Sequence, residues 1–238
     1  MLKYTLRAVG FYIKQVLTPR RKKQALRAYE NGDWKPGYDL IREMAKKLME
    51  ASGARVVYHG LENLPEEKGV LFVSNHQSIF DVPVLMQVME APTAFIAKKE
   101  LKKAPGISLW VRMIGGLFMD RSDLRQSMEV ILKAGDLMKQ GLNMAIYPEG
   151  TRSRSDAHNP FKAGSLKPAT IAKTAVVPVF VDGTHRIFES NKGLSIEPAE
   201  VHAYFGKPIY MKDMSRAEQK ELAANIENIV FDLPNTVV

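Results

Sequence analysis

Apolar positions change their spacing near residue 53, and the change divides the chain in two. In the first part, Leu6, Val9, Ile13, Val16 and Leu17 recur at helical spacing, with Phe11 and Tyr12 between them and Lys3, Arg7 and Lys14 interspersed. That spacing predicts an amphipathic helix over residues 2–17. A second stripe, Leu40, Ile41, Met44, Leu48 and Met49, predicts another from about Pro36 to Ala51. Neither segment carries the run of about 20 apolar residues that spans a bilayer. Nor does an apolar stretch lead to a small-residue cleavage site.

From Gly53 onward, short β-rich runs alternate with helical patterns. Predicted strands are Arg55–Tyr58, Val70–Ser74, Ala94–Ala97, Leu117–Met119, Met144–Tyr147, Val176–Phe180 and Val201–Phe205. Predicted helices are Val82–Met89, Ser122–Lys139 with Ser122 as its N-cap, Ser165–Lys173 and Ser215–Phe231. Residues 153–159 form the most obvious mobile loop. The expected architecture is α/β, with a mixed, largely parallel sheet flanked by helices. Residues 1–52 form an N-terminal two-helix amphipathic motif suited to a membrane interface, and residues 53–238 form the α/β domain.

Charge sharpens the reading of the first part. The chain carries a formal charge of +8, and residues 1–50 hold twelve Lys and Arg against five Asp and Glu, including the run Arg20-Arg21-Lys22-Lys23. A basic arm fits an anionic partner, either a lipid surface or a nucleic acid. Two basic amphipathic helices suit a lipid surface, although the same stripes would serve to pack the helices on their own domain. A nucleic-acid module would show interleaved aromatics on a basic sheet or a zinc-finger spacing, and neither is present. There is no cysteine, which excludes disulfides, thiolate catalysis and cysteine-ligated metals.

Two constellations carry the chemistry, each directly after an apolar strand. The first is Asn75-His76-Gln77-Ser78-Ile79-Phe80-Asp81. On a regular helix His76 and Asp81 would lie about 140° apart and could not pair. Pro83 belongs in a helix's first turn, so the helix starts near Phe80 or Asp81 and leaves His76 in the preceding turn, within reach of the carboxylate. An imidazole held at one nitrogen offers the other as an oriented base. With no cysteine and no Gly-x-Ser-x-Gly elbow, its natural task is to deprotonate an incoming hydroxyl. A hydrogen-bonded loop histidine beside an incidental Asp is the plainer alternative.

The second constellation is Tyr147-Pro148-Glu149-Gly150-Thr151-Arg152-Ser153. Arg152 offers a fork of donors for a phosphate or carboxylate, Gly150 permits close backbone approach, and Glu149 can accept from a polyol hydroxyl. Ligands of open α/β sheets bind beyond the carboxyl ends of strands, where both constellations fall. Two weaker stretches accompany them. Gly115 to Arg121 ends a strand with a second arginine, and Val177-Pro178-Val179 is an apolar strand whose proline points to a sheet edge or a strand start. Lys98 and Lys99 add positive charge after a further strand.

Taken in order, these motifs resemble the glycerolipid acyltransferase family, and within it the 1-acylglycerol-3-phosphate acyltransferases. The likeness rests on Asn-His-x-x-x-x-Asp at Asn75 to Asp81, Gly-x-Leu-Phe-Met-Asp-Arg at Gly115 to Arg121, Pro-Glu-Gly-Thr-Arg-Ser at Pro148 to Ser153, and Val-Pro-Val at Val177 to Val179. It covers roughly residues 53 to 210. The resemblance implies acyl transfer to the 2-hydroxyl of a lysophosphatidic acid, with His76 as base and Asp81 as its partner. Arg152 would hold the phosphate with help from Lys98 and Arg121, Glu149 and Gly150 would shape the glycerol end, and Thr151 would also bind substrate. Asn75, Ser78 and Pro178 would support them. The acyl donor would be a thioester of acyl carrier protein or of coenzyme A, with no cofactor, no metal and no nucleic acid. The expected location is the cytoplasmic face of the cell membrane, bound peripherally or monotopically with no spanning helix.

Overall fold

The computed structural model describes residues 2–16, 19–104, 106–162, 164–193 and 195–237, with backbone alone for residue 2 and for 11–16 and 19–22. Three helices open the chain: α1 (Leu2–Val16), α2 (Pro19–Glu30) and α3 (Lys35–Ser52). The α/β part follows as β1 (Arg55–His59), β2 (Leu71–Ser74), α4 (Asp81–Val88), β3 (Thr93–Lys98), α5 (Ile107–Met113), β4 (Leu117–Met119), α6 (Leu124–Lys139) and β5 (Asn143–Ile146). It closes with α7 (Lys167–Ala172), β6 (Ala175–Asp182), β7 (Glu200–Phe205), β8 (Ile209–Tyr210), α8 (Arg216–Phe231) and α9 (Leu233–Thr236). Leu17, assigned to the first helix by its sequence, lies outside the described residues. So do the side chains of Phe11, Tyr12, Ile13, Lys14, Val16 and Arg20 to Lys22.

The strands form one sheet in the order β1-β7-β6-β2-β5-β3-β4, with β8 also paired to β6. Strands β6, β2, β5, β3 and β4 run parallel, and β7 and β8 oppose β6. Residues of β2 alternate between two apolar layers, as the pleat requires. Phe72 joins a cluster with α3 and α4, while Leu71 and Val73 join one with α6, α7 and α8. Helices therefore cover both faces, which is why β2 and β5 are buried along their whole length.

The boundary expected at residue 52 runs through a continuous core. Tyr38, Ile41, Met44 and Met49 of α3 are buried in the same cluster as the sheet's Phe72 and Val177. Burying each such side chain contributes about 1.5–3 kcal/mol. The Tyr38 hydroxyl donates to Met89 O at 2.8 Å, and Arg42 donates to Met86 O at 3.1 Å and Gln87 O at 3.0 Å at the C-terminus of α4. At Gly37 a Cβ would sit 2.2 Å from Met113 O, so glycine is what lets α3 and α5 approach.

Other expectations change in detail. The N-cap of α6 is Asp123, whose Oδ1 accepts from Gln126 N at 3.0 Å, because the Ser122 hydroxyl is bound to Asp120 Oδ1 at 2.6 Å. Pro178 lies inside the interior strand β6, opposite Val73 of β2, and not at an edge. The far side of β6 changes partner there, from β8 at Ala175 and Val176 to β7 at Val179 onward. Pro178 O accepts from Gly206 N at 2.9 Å on that side, and its absent N–H falls where no ladder partner needs one. The loop at 153–159 is irregular as expected, but it is anchored at Ser153, Asp156 and Asn159.

Candidate active site

The site begins where β2 leaves the sheet. Asn75, almost fully buried, replaces the lost backbone pairing with its side chain: Oδ1 accepts from Val181 N and Nδ2 donates to Val181 O, both at 2.8 Å. The next residue is His76, and α4 then starts at Asp81 with Pro83 in its first turn. Between them the chain folds back so that His76 Nδ1 and Asp81 Oδ2 stand 2.7 Å apart.

Asp81 is fully buried and fully bonded. Its Oδ2 also accepts from Gln77 N at 2.9 Å and Ser78 N at 3.0 Å, and its Oδ1 accepts from the Thr184 hydroxyl at 2.5 Å. A carboxylate enclosed by donors cannot turn away from the imidazole. It therefore places the ring proton on Nδ1 and leaves Nε2 as an acceptor with no partner among the described residues. Tyr147 stacks on the imidazole, with ring centroids 4.1 Å apart and 17° between planes. Its hydroxyl is buried and meets no partner among the described residues, and burial, reinforced by the charge of Asp81, pushes its pKa well above the usual phenol value.

The second constellation lies alongside, since β5 is the parallel neighbour of β2. Beyond the strand ends, Ser153 N donates to His76 O at 2.8 Å and Arg154 N to Gln77 O at 3.2 Å. Glu149 ties the loops more firmly. Its buried carboxylate accepts from His76 N at 2.6 Å and from Asn159 N and Nδ2 at 2.9 and 3.0 Å. The carboxylate that the sequence offered to a polyol hydroxyl is thus turned inward and occupied. Gly150 has φ +74, and a Cβ there would meet the Lys162 side chain at 2.8 Å. Thr151 is exposed at the rim.

Arg152 keeps 30% of its side chain exposed and donates from Nη1 to Glu189 Oε1 at 2.8 Å. Glu189, which sequence reasoning missed, also accepts from Ile79 N at 2.9 Å and from the Ser78 hydroxyl at 2.5 Å. No motif marks Glu189, and a Glu in a polar loop looks like any surface carboxylate.

Lys98 and Arg121 are not drawn into this network. Lys98 lies at the end of β3, two strands from β2 or about 10 Å across the sheet. Its ammonium is exposed and 3.4 Å from Glu100. Arg121 follows β4, one strand farther, and burial depresses its pKa. It has no hydrogen-bond partner among the described residues, because Asp120 is taken by Lys99 and Ser122. Those contacts hold the Asp120 carboxyl down to about 2, Lys99 contributing most. Among the described residues, no group of His, Asp and Glu is arranged to hold a metal ion.

A protein-family model for acyltransferases matches residues 55–182, a span that contains every element of this site except Glu189 and Thr184. The chain belongs to the acyltransferase family. Members similar to it include a probable 1-acyl-sn-glycerol-3-phosphate acyltransferase of Mycoplasma genitalium, 33% identical over 82% of this chain and 76% of the relative. The 1-acyl-sn-glycerol-3-phosphate acyltransferase of Borreliella burgdorferi is 29% identical over 66% of this chain, which spans 64% of that relative's length. Among solved structures, the 1-acyl-sn-glycerophosphate (LPA) acyltransferase PlsC from Thermotoga maritima superposes with a TM-score of 0.78 at 28% identity, covering 96% of this chain and 92% of its own. That likeness extends over more of the chain than residues 55–182, the span that the family model matches.

Proposed function

We propose that this chain transfers a fatty acyl group from a thioester, carried by acyl carrier protein or coenzyme A, to the 2-hydroxyl of a 1-acylglycerol-3-phosphate. The observation that carries the reading is His76 Nδ1 held 2.7 Å from a saturated, buried Asp81, with Nε2 left over. As the hydroxyl oxygen attacks the thioester carbonyl, Nε2 takes the hydroxyl proton and Asp81 stabilises the imidazolium. Collapse of the tetrahedral intermediate breaks the carbon–sulfur bond, and the departing thiolate recovers the proton from His76. No acyl-enzyme forms. Arg152 stands beside this centre as the fork for the acceptor's phosphate, with Lys98 and Arg121 supplying positive charge from farther along the rim.

The names of the similar proteins support the acceptor, and the donor follows from the need for an activated acyl group. A transfer assay with lysophosphatidic acid and each donor tests the reading, with glycerol-3-phosphate and a head-group lysophospholipid as competing acceptors. His76→Ala should lower kcat by about 10²- to 10⁴-fold. A variant as active as the wild type would sink it.

The acceptor lives in a bilayer, and α1 offers a way to meet it at the membrane's cytoplasmic face. Leu6 and Val9 are 61% and 49% exposed, on a helix that also carries Lys3 and Arg7. Among the described residues no helix is long and apolar enough to cross a membrane. A helix of this kind lies in the interface. Leu6→Glu combined with Val9→Glu should abolish co-sedimentation with anionic liposomes, and unchanged sedimentation would count against it.

A further inference from the structure

Glu189 is a carboxylate from outside the two constellations that bonds to both. Only 4% of its side chain is exposed. Its Oε1 holds Arg152 Nη1 and Ile79 N, and its Oε2 holds the Ser78 hydroxyl. The loop that follows the His76 base and the arginine of the second constellation therefore converge on one buried group. A charge so removed from water persists only when surrounding donors compensate it, and here three donors from two loops do so.

The segment bearing Glu189 is itself tied down. His185, buried, bonds through Nδ1 to the Ser190 hydroxyl at 2.6 Å and through Nε2 to Asp156 Oδ1 at 2.8 Å. Ser190 N donates to His185 O at 3.0 Å, and Asn191 Nδ2 donates to Ile187 O at 2.9 Å. One residue before His185, Thr184 donates to Asp81. A single short segment thus holds both the carboxylate that orients the base and the guanidinium beside it.

We infer that Glu189 is a positioning residue that aims Arg152 at the acceptor's phosphate. Glu189 engages one Nη of Arg152, and the remaining donors of the planar fork stay available to an anion in a direction the protein has set. The ion pair offsets the arginine's charge, so recognition of the phosphate depends on the orientation of the fork more than on net attraction. This rests on the proposed role of Arg152 in holding phosphate.

The test is a double-mutant cycle on the full chain, measuring kcat and KM for lysophosphatidic acid in wild type, Glu189→Ala, Arg152→Ala and the double variant, with thermal melting alongside. Glu189→Ala should raise KM about tenfold with a smaller change in kcat, and should add nothing once Arg152 is alanine. Glu189→Gln retains the shape and one acceptor. It is the variant to use should alanine fail to fold, with a KM rise of about threefold that Arg152→Ala likewise abolishes. Losses at Glu189 that multiply with those at Arg152, or that fall on kcat alone, would overturn the inference while leaving the reading of the site intact. An Arg152→Ala variant with unaltered KM would instead remove the reading on which it rests.

Discussion

The two halves of the strand-end rim are built on different principles. Around β2, β5 and β6, the side chains of Asn75, Asp81, Glu149 and Glu189 have every oxygen bonded, and all are buried. Around β3 and β4, Lys98 and Lys99 are exposed and paired only with neighbouring acids, and Arg121 has no hydrogen bond among the described residues. Directional proton transfer requires atoms placed before the substrate arrives, so the first half is fixed by hydrogen bonds that cannot be exchanged cheaply. Attracting an anion needs only charge within reach, which Lys98, Lys99 and Arg121 supply.

That contrast can be broken most sharply at Asp81. In Asp81→Asn the new amide can face Thr184 while its oxygen still accepts from His76, Gln77 and Ser78, so the fold and the tautomer survive but the charge opposite the imidazolium is lost. Turnover should fall about 10²-fold with little change in melting temperature. A loss below threefold would show that the carboxylate's charge has no part in the step. Glu149→Gln comes next, and its effect should appear in stability. One face of the amide must present hydrogens either to His76 N–H or to Asn159 N–H, leaving buried donors opposed, at a cost of about 2 kcal/mol in chemical denaturation. A denaturation midpoint equal to wild type would mean that the two loops are held together without it.

The smallest effect belongs to the charged half. Arg121→Ala should raise KM for lysophosphatidic acid by no more than about fivefold, and added salt should shrink the difference, as expected for a charge that acts on the phosphate from a distance. A salt-independent loss as large as that of Arg152→Ala would place Arg121 in direct contact with the phosphate and erase the distinction between the halves.

Much of this was legible in the sequence, for physical reasons that vary by residue. Strands β2, β5 and β6 are apolar runs because helices cover both faces of the sheet, and such runs need no partner to be recognised. The turn between His76 and Asp81 could be inferred because Pro83 constrains where a helix starts. Helix α2 was read only as a cluster of charge, since among its described side chains Ala25 and Leu26 are the ones that join the core cluster. Pro178 was misplaced because its tolerance depends on how β7 gives way to β8, which is a property of three strands and not of one. Glu189 was invisible for a similar reason: its burial is created by loops far from it in the chain.

Asn75 has a consequence for motion at the centre of the site. By posing as a peptide unit toward Val181, it lets the chain swing out of the sheet while the hydrogen-bonded fabric continues without a tear. The imidazole is the very next residue, so its anchorage has the stiffness of a woven strand and little of a loop's play. Replacing that amide with an isosteric acid would set one oxygen against the Val181 carbonyl, and the slack so introduced would be felt first at the base.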